Sequence, residues 1–324
     1  MRLALRLAPQ HSTQYADLTA RLAEPELRAS PFGAHVLHAE HGRIGGQPYL
    51  LVEATEDAPV AALDGLAATV EAFELHDELA GLPGPFLRPL GSPAEPVLPR
   101  ELAEARRYKG KTSEVFTRIL LNLALYAAGS PRRARVLDPV AGGGTTLFAA
   151  LALGHDAAGV EQSRRDVETT AAFVREFCRE ARIPHREQRI ARGPRRFTIE
   201  LGPRDEPRTL VLAEGDTRAA DELLRTIPGG ARFHVVVGDL PYGIQHDGAA
   251  PALLAECLPA WARVLAPGGA LAVSWDATRV PREGLVAIAH EHLDVLDEPP
   301  WNALEHRVDR VIKRRDVLVA RKRD

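Results

Sequence analysis

Apolar and polar positions change their period several times along the chain, and the changes outline two units. Arg2-Leu3-Ala4-Leu5-Arg6-Leu7-Ala8 places leucine at every second position, the pattern of a half-buried strand. Helical spacing follows over residues 12–22. A strand pair over 34–38 and 48–53 turns at Gly45-Gly46, and a second helix is expected over 59–72. Residues 1–80 thus read as a small α+β unit. Gly81-Leu82-Pro83-Gly84-Pro85, followed by Pro89, Pro93, Pro96 and Pro99, interrupts regular structure and predicts a semi-rigid connector over residues 81–107.

Beyond it, residues 108–324 alternate helix and strand. Helices are expected at 113–126, 145–153, 163–181, 219–226 and 249–265, and strands at 135–137, 157–161, 210–213, 235–237 and 271–274. Pro267-Gly268-Gly269 predicts a sharp turn before the last of these strands. Residues 307–312 and 316–321, around Lys313-Arg314-Arg315, predict a closing hairpin. Parallel strands alternating with helices and finished by an antiparallel hairpin describe an α/β, doubly wound sheet with one reversed edge strand.

Composition narrows the class. With 45% hydrophobic and 26% charged residues in 324, the chain can bury a full core and a smaller second unit, as an ordinary globular protein does. No apolar run approaches a membrane span, and the first residues alternate too regularly for a secretion signal. Cys178 and Cys257 stand alone, without His or Cys at ligand spacing, so neither a disulfide framework nor a metal site is expected. These features predict a reduced, cytoplasmic setting. The net charge of −3 hides an asymmetry, because residues 1–97 carry −7 and the remainder +4. Ten arginines between residues 175 and 208, and the basic tail from Arg307 to Arg323, are either a phosphate-binding face or a solvated surface.

Candidate chemistry sits at the ends of the predicted strands. Val136-Leu137-Asp138-Pro139-Val140-Ala141-Gly142-Gly143-Gly144-Thr145-Thr146 joins strand to helix through glycines that let backbone approach a ligand. The loop has no lysine, which excludes a P-loop, and departs from G-x-G-x-x-G. Asp138 facing such a turn suits a cationic ligand, such as the amino group and sulfonium of S-adenosylmethionine. Glu161, with Gln162 beside it, ends the next strand, where an acid can accept ribose hydroxyls or can simply face solvent. Asp216 and Thr217 close the third strand, Asp216 serving either as an adenine contact or as a helix N-cap.

Gly238-Asp239-Leu240-Pro241-Tyr242-Gly243 follows the apolar run Val235-Val236-Val237. Two N–H bonds from a planar amino group, one to the Asp239 carboxylate and one to the Leu240 carbonyl, would aim its lone pair at a methyl donor. Pro241 holds that carbonyl in extended backbone. Tyr242 offers a face for a base and Gly243 leaves room for it. Upstream, Tyr108-Lys109-Gly110-Lys111-Thr112-Ser113 holds two of the chain's four lysines. It either caps the next helix or closes over the cofactor, with Lys111 and Thr112 at the methionine end.

Lys109-Gly110-Lys111-Thr112-Ser113, Asp138-Pro139 with the Gly142–Gly144 loop, and Asp239-Leu240-Pro241-Tyr242-Gly243 together resemble the class I S-adenosylmethionine-dependent amino-methyltransferases. The resemblance is to their Trm11-like branch, associated with N2-methylation of guanosine in tRNA, and covers about two thirds of the chain. It implies a seven-stranded, Rossmann-like methyltransferase sheet with an antiparallel edge hairpin, a tRNA or other RNA substrate, and tRNA processing as the setting. It also implies Asp239, Leu240, Pro241 and Tyr242 as catalytic residues. The cofactor would contact Lys111, Thr112, Asp138, Pro139, Ala141 to Gly144, Thr145, Glu161, Gln162, Asp216 and Thr217. Tyr242, Gly243 and His246 would form the substrate side. Two departures stand out: residues 1–97 are short and acidic where the branch carries a THUMP RNA-binding region, and Gln245-His246 replace an expected arginine. Against RNA amino-methylation stand amino-methylation of DNA, a peptide or a small molecule, and a catalytically silent scaffold.

Overall fold

The computed structural model describes residues 1–10, 17–91, 96–106, 111–190, 194–240, 249–308 and 313–323. Residues 12–16 of the helix expected over 12–22 lie outside the described residues, and its remainder from Leu18 opens a helix that runs on to Ala29. The first unit comprises β1 (Arg2–Leu7), α1 (Leu18–Ala29), β2 (Val36–Ile44), β3 (Gln47–Ala54), β4 (Thr69–Leu79) and β5 (Leu82–Pro89), with sheet order β2-β3-β1-β4-β5. Leu3, Leu5 and Leu7 point from β1 into the core, as their period requires. Gly45 and Gly46 both take positive φ at the β2–β3 turn, the backbone that a two-residue hairpin demands.

Two expectations for this region need correction. Over 59–72 the chain forms a 3₁₀ turn, Val60–Gly65, and then enters β4, because pairing with β1 (Ala4 opposite Phe73, Leu5 opposite Ala72) outweighs helical propensity. Residues 82–89, expected to be connector, form β5 against β4. Proline is tolerated there because β5 is an edge strand whose outer face needs no donors.

The second unit runs through α2 (Glu101–Glu104), α3 (Glu114–Ala127), β6 (Arg135–Asp138), α4 (Thr145–Ala152), β7 (Asp156–Glu161) and α5 (Arg164–Glu180). The hairpin β8 (His185–Ile190) and β9 (Arg196–Leu201) leads into β10 (Arg208–Glu214), α6 (Ala220–Leu223), β11 (Phe233–Asp239) and α7 (Ala249–Val264). The chain closes with β12 (Leu265–Asp276), α8 (Arg282–His290), β13 (Leu293–Leu296), β14 (His306–Arg307) and β15 (Arg314–Lys322). Its sheet order is β13-β15-β12-β11-β6-β7-β10-β9-β8, with β14 paired to β15. Strands β10-β7-β6-β11-β12 are parallel and β15 is reversed, so seven strands, β10-β7-β6-β11-β12-β15-β13, form the Rossmann-like sheet that the resemblance implies.

The differences are local. β13 lies outside β15, so the reversed strand is second from the edge. The β8–β9 hairpin, hidden in the arginine-rich stretch, extends the other edge by two strands, and with β14 the sheet numbers ten. Pro267-Gly268-Gly269 makes a bulged excursion within β12, between the pairs Phe233–Leu265 and Val235–Ala270. Sheet order reverses between β6 and β11, the switch point where open α/β sheets bind ligands beyond their carboxyl ends.

Apolar clusters fill both faces of the sheet, and the one over α3 and α4 continues into the first unit through Leu18, Leu22 and Leu27. There Glu26 is fully buried and accepts from the backbone N–H of Ala67 and Ala68 and from Asn122 Nδ2 on α3. Among the described residues no helix is long and apolar enough to cross a membrane, and no cluster of His, Cys, Asp and Glu is placed to hold a metal ion.

Candidate active site

β6 ends in Asp138, and the chain turns through Pro139 to Gly144 before α4 begins. Gly142 and Gly144 take φ of 47° and 84°, and a Cβ on Gly144 would lie 3.1 Å from the Phe148 ring and 3.2 Å from Thr170. Only glycine suits that position. The loop is tied to β7 by Ala141 N–H donating to Val160 O at 3.0 Å and Gly142 N–H donating to Glu161 Oε2 at 2.9 Å. Glu161 Oε1 accepts from Ser163 N–H at 2.7 Å, so one carboxylate fixes the loop and the start of α5 together. From outside, Arg106 donates to Gly143 O at 2.6 Å and to the hydroxyls of Thr169 and Thr170.

Asp138 is buried. Loss of solvent raises its carboxyl to about 7, against the lowering effect of hydrogen bonds from Thr146 and from Val140 N–H, and the nearby Asp239 and Glu161 push it further up. A buried carboxyl with two acids for neighbours is primed to receive a positive ligand.

The acceptor side is built on β11. Asp239 Oδ2 accepts from the Thr112 hydroxyl at 2.6 Å and lies 3.6 Å from Arg315 Nη2, while Oδ1 accepts from the Ser274 hydroxyl. Leu240 is buried, its N–H donating to Ser274 O at 2.9 Å. The Arg315 guanidinium lies 4.7 Å over the Phe116 ring, which meets the buried His306 ring at 4.9 Å. Burial lowers His306 to about 4, so it stands neutral beside Arg315.

These elements enclose a cleft of about 210 Å³, which brings Thr112, Asp138, Ala141, Gly142, Gly143, Thr145, Asp239 and Leu240 together. Pro139 packs behind it, 3.7 Å from where a Cβ on Gly238 would sit. Other expected residues lie elsewhere. Lys111 donates to Ala103 O and Glu104 O and pairs with Glu114, so its ammonium is held by α2 and the first turn of α3. Gln162 is exposed, Thr217 accepts from Trp261 Nε1 at 2.9 Å, and Asp216 caps the following 3₁₀ turn. Arg218, paired with Asp216, holds that carboxyl below its usual range. Pro241, Tyr242, Gly243, Gln245 and His246 lie outside the described residues, as do Lys109 and Gly110.

Sequence reasoning missed Phe116, Ser274, Arg315 and Arg106. A polar residue ending the apolar strand over 271–274 was a usable signal for Ser274; nothing local marked Arg315. The two basic clusters also separate. Within 175–208, Arg175 pairs with Glu187, Arg179 with Glu176 and Arg195 with Glu168, Arg208 donates to Gly154 O, and Arg189 stacks on Phe197. Internal partners thus occupy much of the expected phosphate face.

No family model matches the chain, and no curated protein resembles it closely enough to match. Solved structures do align. TehB from Haemophilus influenzae is 15% identical over 62% of this chain and 61% of its own, with a TM-score of 0.37. TrmN from Thermus thermophilus is 19% identical over 88% of this chain and 59% of its own, with a TM-score of 0.40. A TehB-like SAM-dependent methyltransferase from Corynebacterium glutamicum is 15% identical over 69% and 94%, with a TM-score of 0.39. The chain thus aligns with about three fifths of TehB and of TrmN. At this level of likeness the Rossmann-like assignment rests on strand order alone.

Proposed function

We propose that the chain is an S-adenosylmethionine-dependent N-methyltransferase acting on an exocyclic amino group of a nucleobase, with guanine N2 in tRNA or another RNA as its target. One observation carries this reading: the cleft at the switch point is lined by a glycine loop and two carboxylates, Asp138 and Asp239, and by no basic side chain among the described residues. A pyrophosphate would be repelled there, whereas a sulfonium and an amino group would be stabilised. The donor set fits S-adenosylmethionine, which supplies an already activated methyl group. Asp138 and the loop from Ala141 to Thr145 would hold its charged end and Glu161 its ribose hydroxyls. Gln162, Asp216 and Thr217 would flank its adenine, and Thr112 would stand between cofactor and acceptor.

The chain's own contribution is orientation. Asp239, fixed by Thr112, Ser274 and Arg315, accepts one N–H of the amino group. The Leu240 carbonyl would accept the other, and Pro241, Tyr242, Gly243 and His246, outside the described residues, are the residues we assign to the base side. Transfer of the methyl group to the nitrogen would leave it with an extra proton, which Asp239 would take. Incubation with methyl-labelled S-adenosylmethionine and separate tRNA, rRNA, DNA and small-amine pools tests the reading. N2-methylguanosine in an RNA pool is expected; label confined to DNA or to a small amine overturns the RNA assignment.

A further inference from the structure

The structure points to a docking surface for the substrate strand, and the inference rests on the nucleobase reading above. We propose that Arg279, Arg307, Lys313 and Arg314 form a rim that binds the phosphates of a single-stranded polynucleotide and presents one base to Asp239. Register places this rim. Asp239 on β11 lies opposite Ser274 on β12, and Ser274 lies opposite Val317 on β15. Following β15 back toward the sheet's carboxyl edge, one passes Arg315, which reaches Asp239, and arrives at Arg314. Arg314 pairs across the hairpin with Arg307, and Val308 N–H donates to Lys313 O at the same turn. Arg314 N–H donates to the Thr278 hydroxyl, which brings the neighbouring Arg279 into the patch.

All four side chains are exposed. Two ion pairs at this rim are long: Asp276, mostly buried, lies 3.6 Å from Arg279, and Glu305 lies 3.5 Å from Arg314. The Arg314–Glu305 pair, exposed on both sides, is weak and yields readily to a phosphate. Distance separates this cluster from the other one. β15 is two strands from β11, about 10 Å, whereas β9 is four strands away, about 19 Å, and Arg175 and Arg195 near it are internally paired. A base inserted at Asp239 stays bonded to its own phosphates, so cations at the cleft mouth serve it and those at the far edge do not.

Fluorescence anisotropy of labelled oligo-RNA and oligo-DNA across a salt series tests this directly. Four phosphate contacts to a single strand predict a log–log slope of about −3, and Arg307→Gln with Lys313→Gln should reduce it by about 1.4. Affinity at low salt should fall at least tenfold in that variant, and Lys313→Glu alone should show the same direction. Arg182→Gln with Arg186→Gln, at the far edge, should change little. Binding of RNA alone or of both polymers supports the surface and says which strand it serves. Unchanged binding in the rim variants, loss in the far-edge variant, or no binding by the wild type at low salt overturns it. Cofactor titration of the same samples separates the two failures, because S-adenosylmethionine binding without polynucleotide binding leaves the methyltransferase reading standing.

Discussion

Asp138 and Asp239 end adjacent parallel strands and face the same cleft, yet they are held in different ways. Asp138 takes its hydrogen bonds from Val140 and Thr146, within its own loop and helix. Asp239 takes its bonds from residues 127 and 35 positions away, Thr112 and Ser274, and its ion pair from Arg315 on the reversed strand. The glycine-loop half is thus a largely local structure, completed by Glu161 from the next strand and by Arg106 on the Gly143 carbonyl, while the acceptor half exists only once β11, β12 and β15 are side by side. The first half should fail by losing the cofactor and the second by losing transfer with the cofactor still bound.

Asp239→Ala is the strongest test of that division. Methyl transfer should fall by about 10²–10³-fold or more, while cofactor affinity stays within a few-fold; substantial residual turnover removes Asp239 from the chemistry. Glu161→Ala strikes the other half and should weaken cofactor binding by roughly 10–100-fold, since it removes a charged partner of two backbone amides as well as the proposed ribose acceptor. Equal affinity by calorimetry takes Glu161 off the cofactor. Arg315→Gln should lower transfer about tenfold with unchanged cofactor affinity, and Arg315→Lys should recover part of it. A matching loss of cofactor binding would make Arg315 a support of the fold rather than of Asp239.

Asp138 gives a pH signature. Its carboxyl stands at about 7 in the folded protein against an ordinary 3.8, so the folded state keeps a proton that the unfolded chain releases. That contribution to stability is complete below about pH 4 and is lost as pH rises toward 7, on the order of 1 kcal/mol per pH unit. Urea midpoints across this window should fall for the wild type and stay flatter for Asp138→Asn; parallel curves would contradict the assignment. The smallest effect belongs to Lys111→Ala, which should cost about 1 kcal/mol of stability through its carbonyl and Glu114 contacts while cofactor affinity holds. A large loss of affinity would return Lys111 to the methionine end.

The same contrast explains what the sequence disclosed. The glycine loop, Asp138 and Glu161 were legible because strand end, loop and next strand end lie within about two dozen residues and each residue type has a local physical reason. Asp239 was legible for its type and its strand, but Arg315 was not, because its position at a predicted turn gives no hint that register carries it beside β11. Lys111 was read by its rarity, and its neighbours Ala103, Glu104 and Glu114 claim it instead. In the fold, β8 escaped notice because it is an exposed edge strand with almost no apolar residues, whereas the alternation of Phe197, Ile199 and Leu201 in β9 was a usable signal that sequence reasoning missed. β4 escaped because its partner β1, not its own composition, makes it a strand.

The central claim is that this acid-lined cleft takes a cationic cofactor, and a calorimetric titration of S-adenosylmethionine in two buffers of different ionisation enthalpy tests it most directly. We expect one saturable site per chain, with proton release near pH 6.5 as the bound cation draws Asp138 into its charged form. Absence of saturable binding, or affinity that survives Asp138→Ala and Glu161→Ala together, would contradict the assignment of this site.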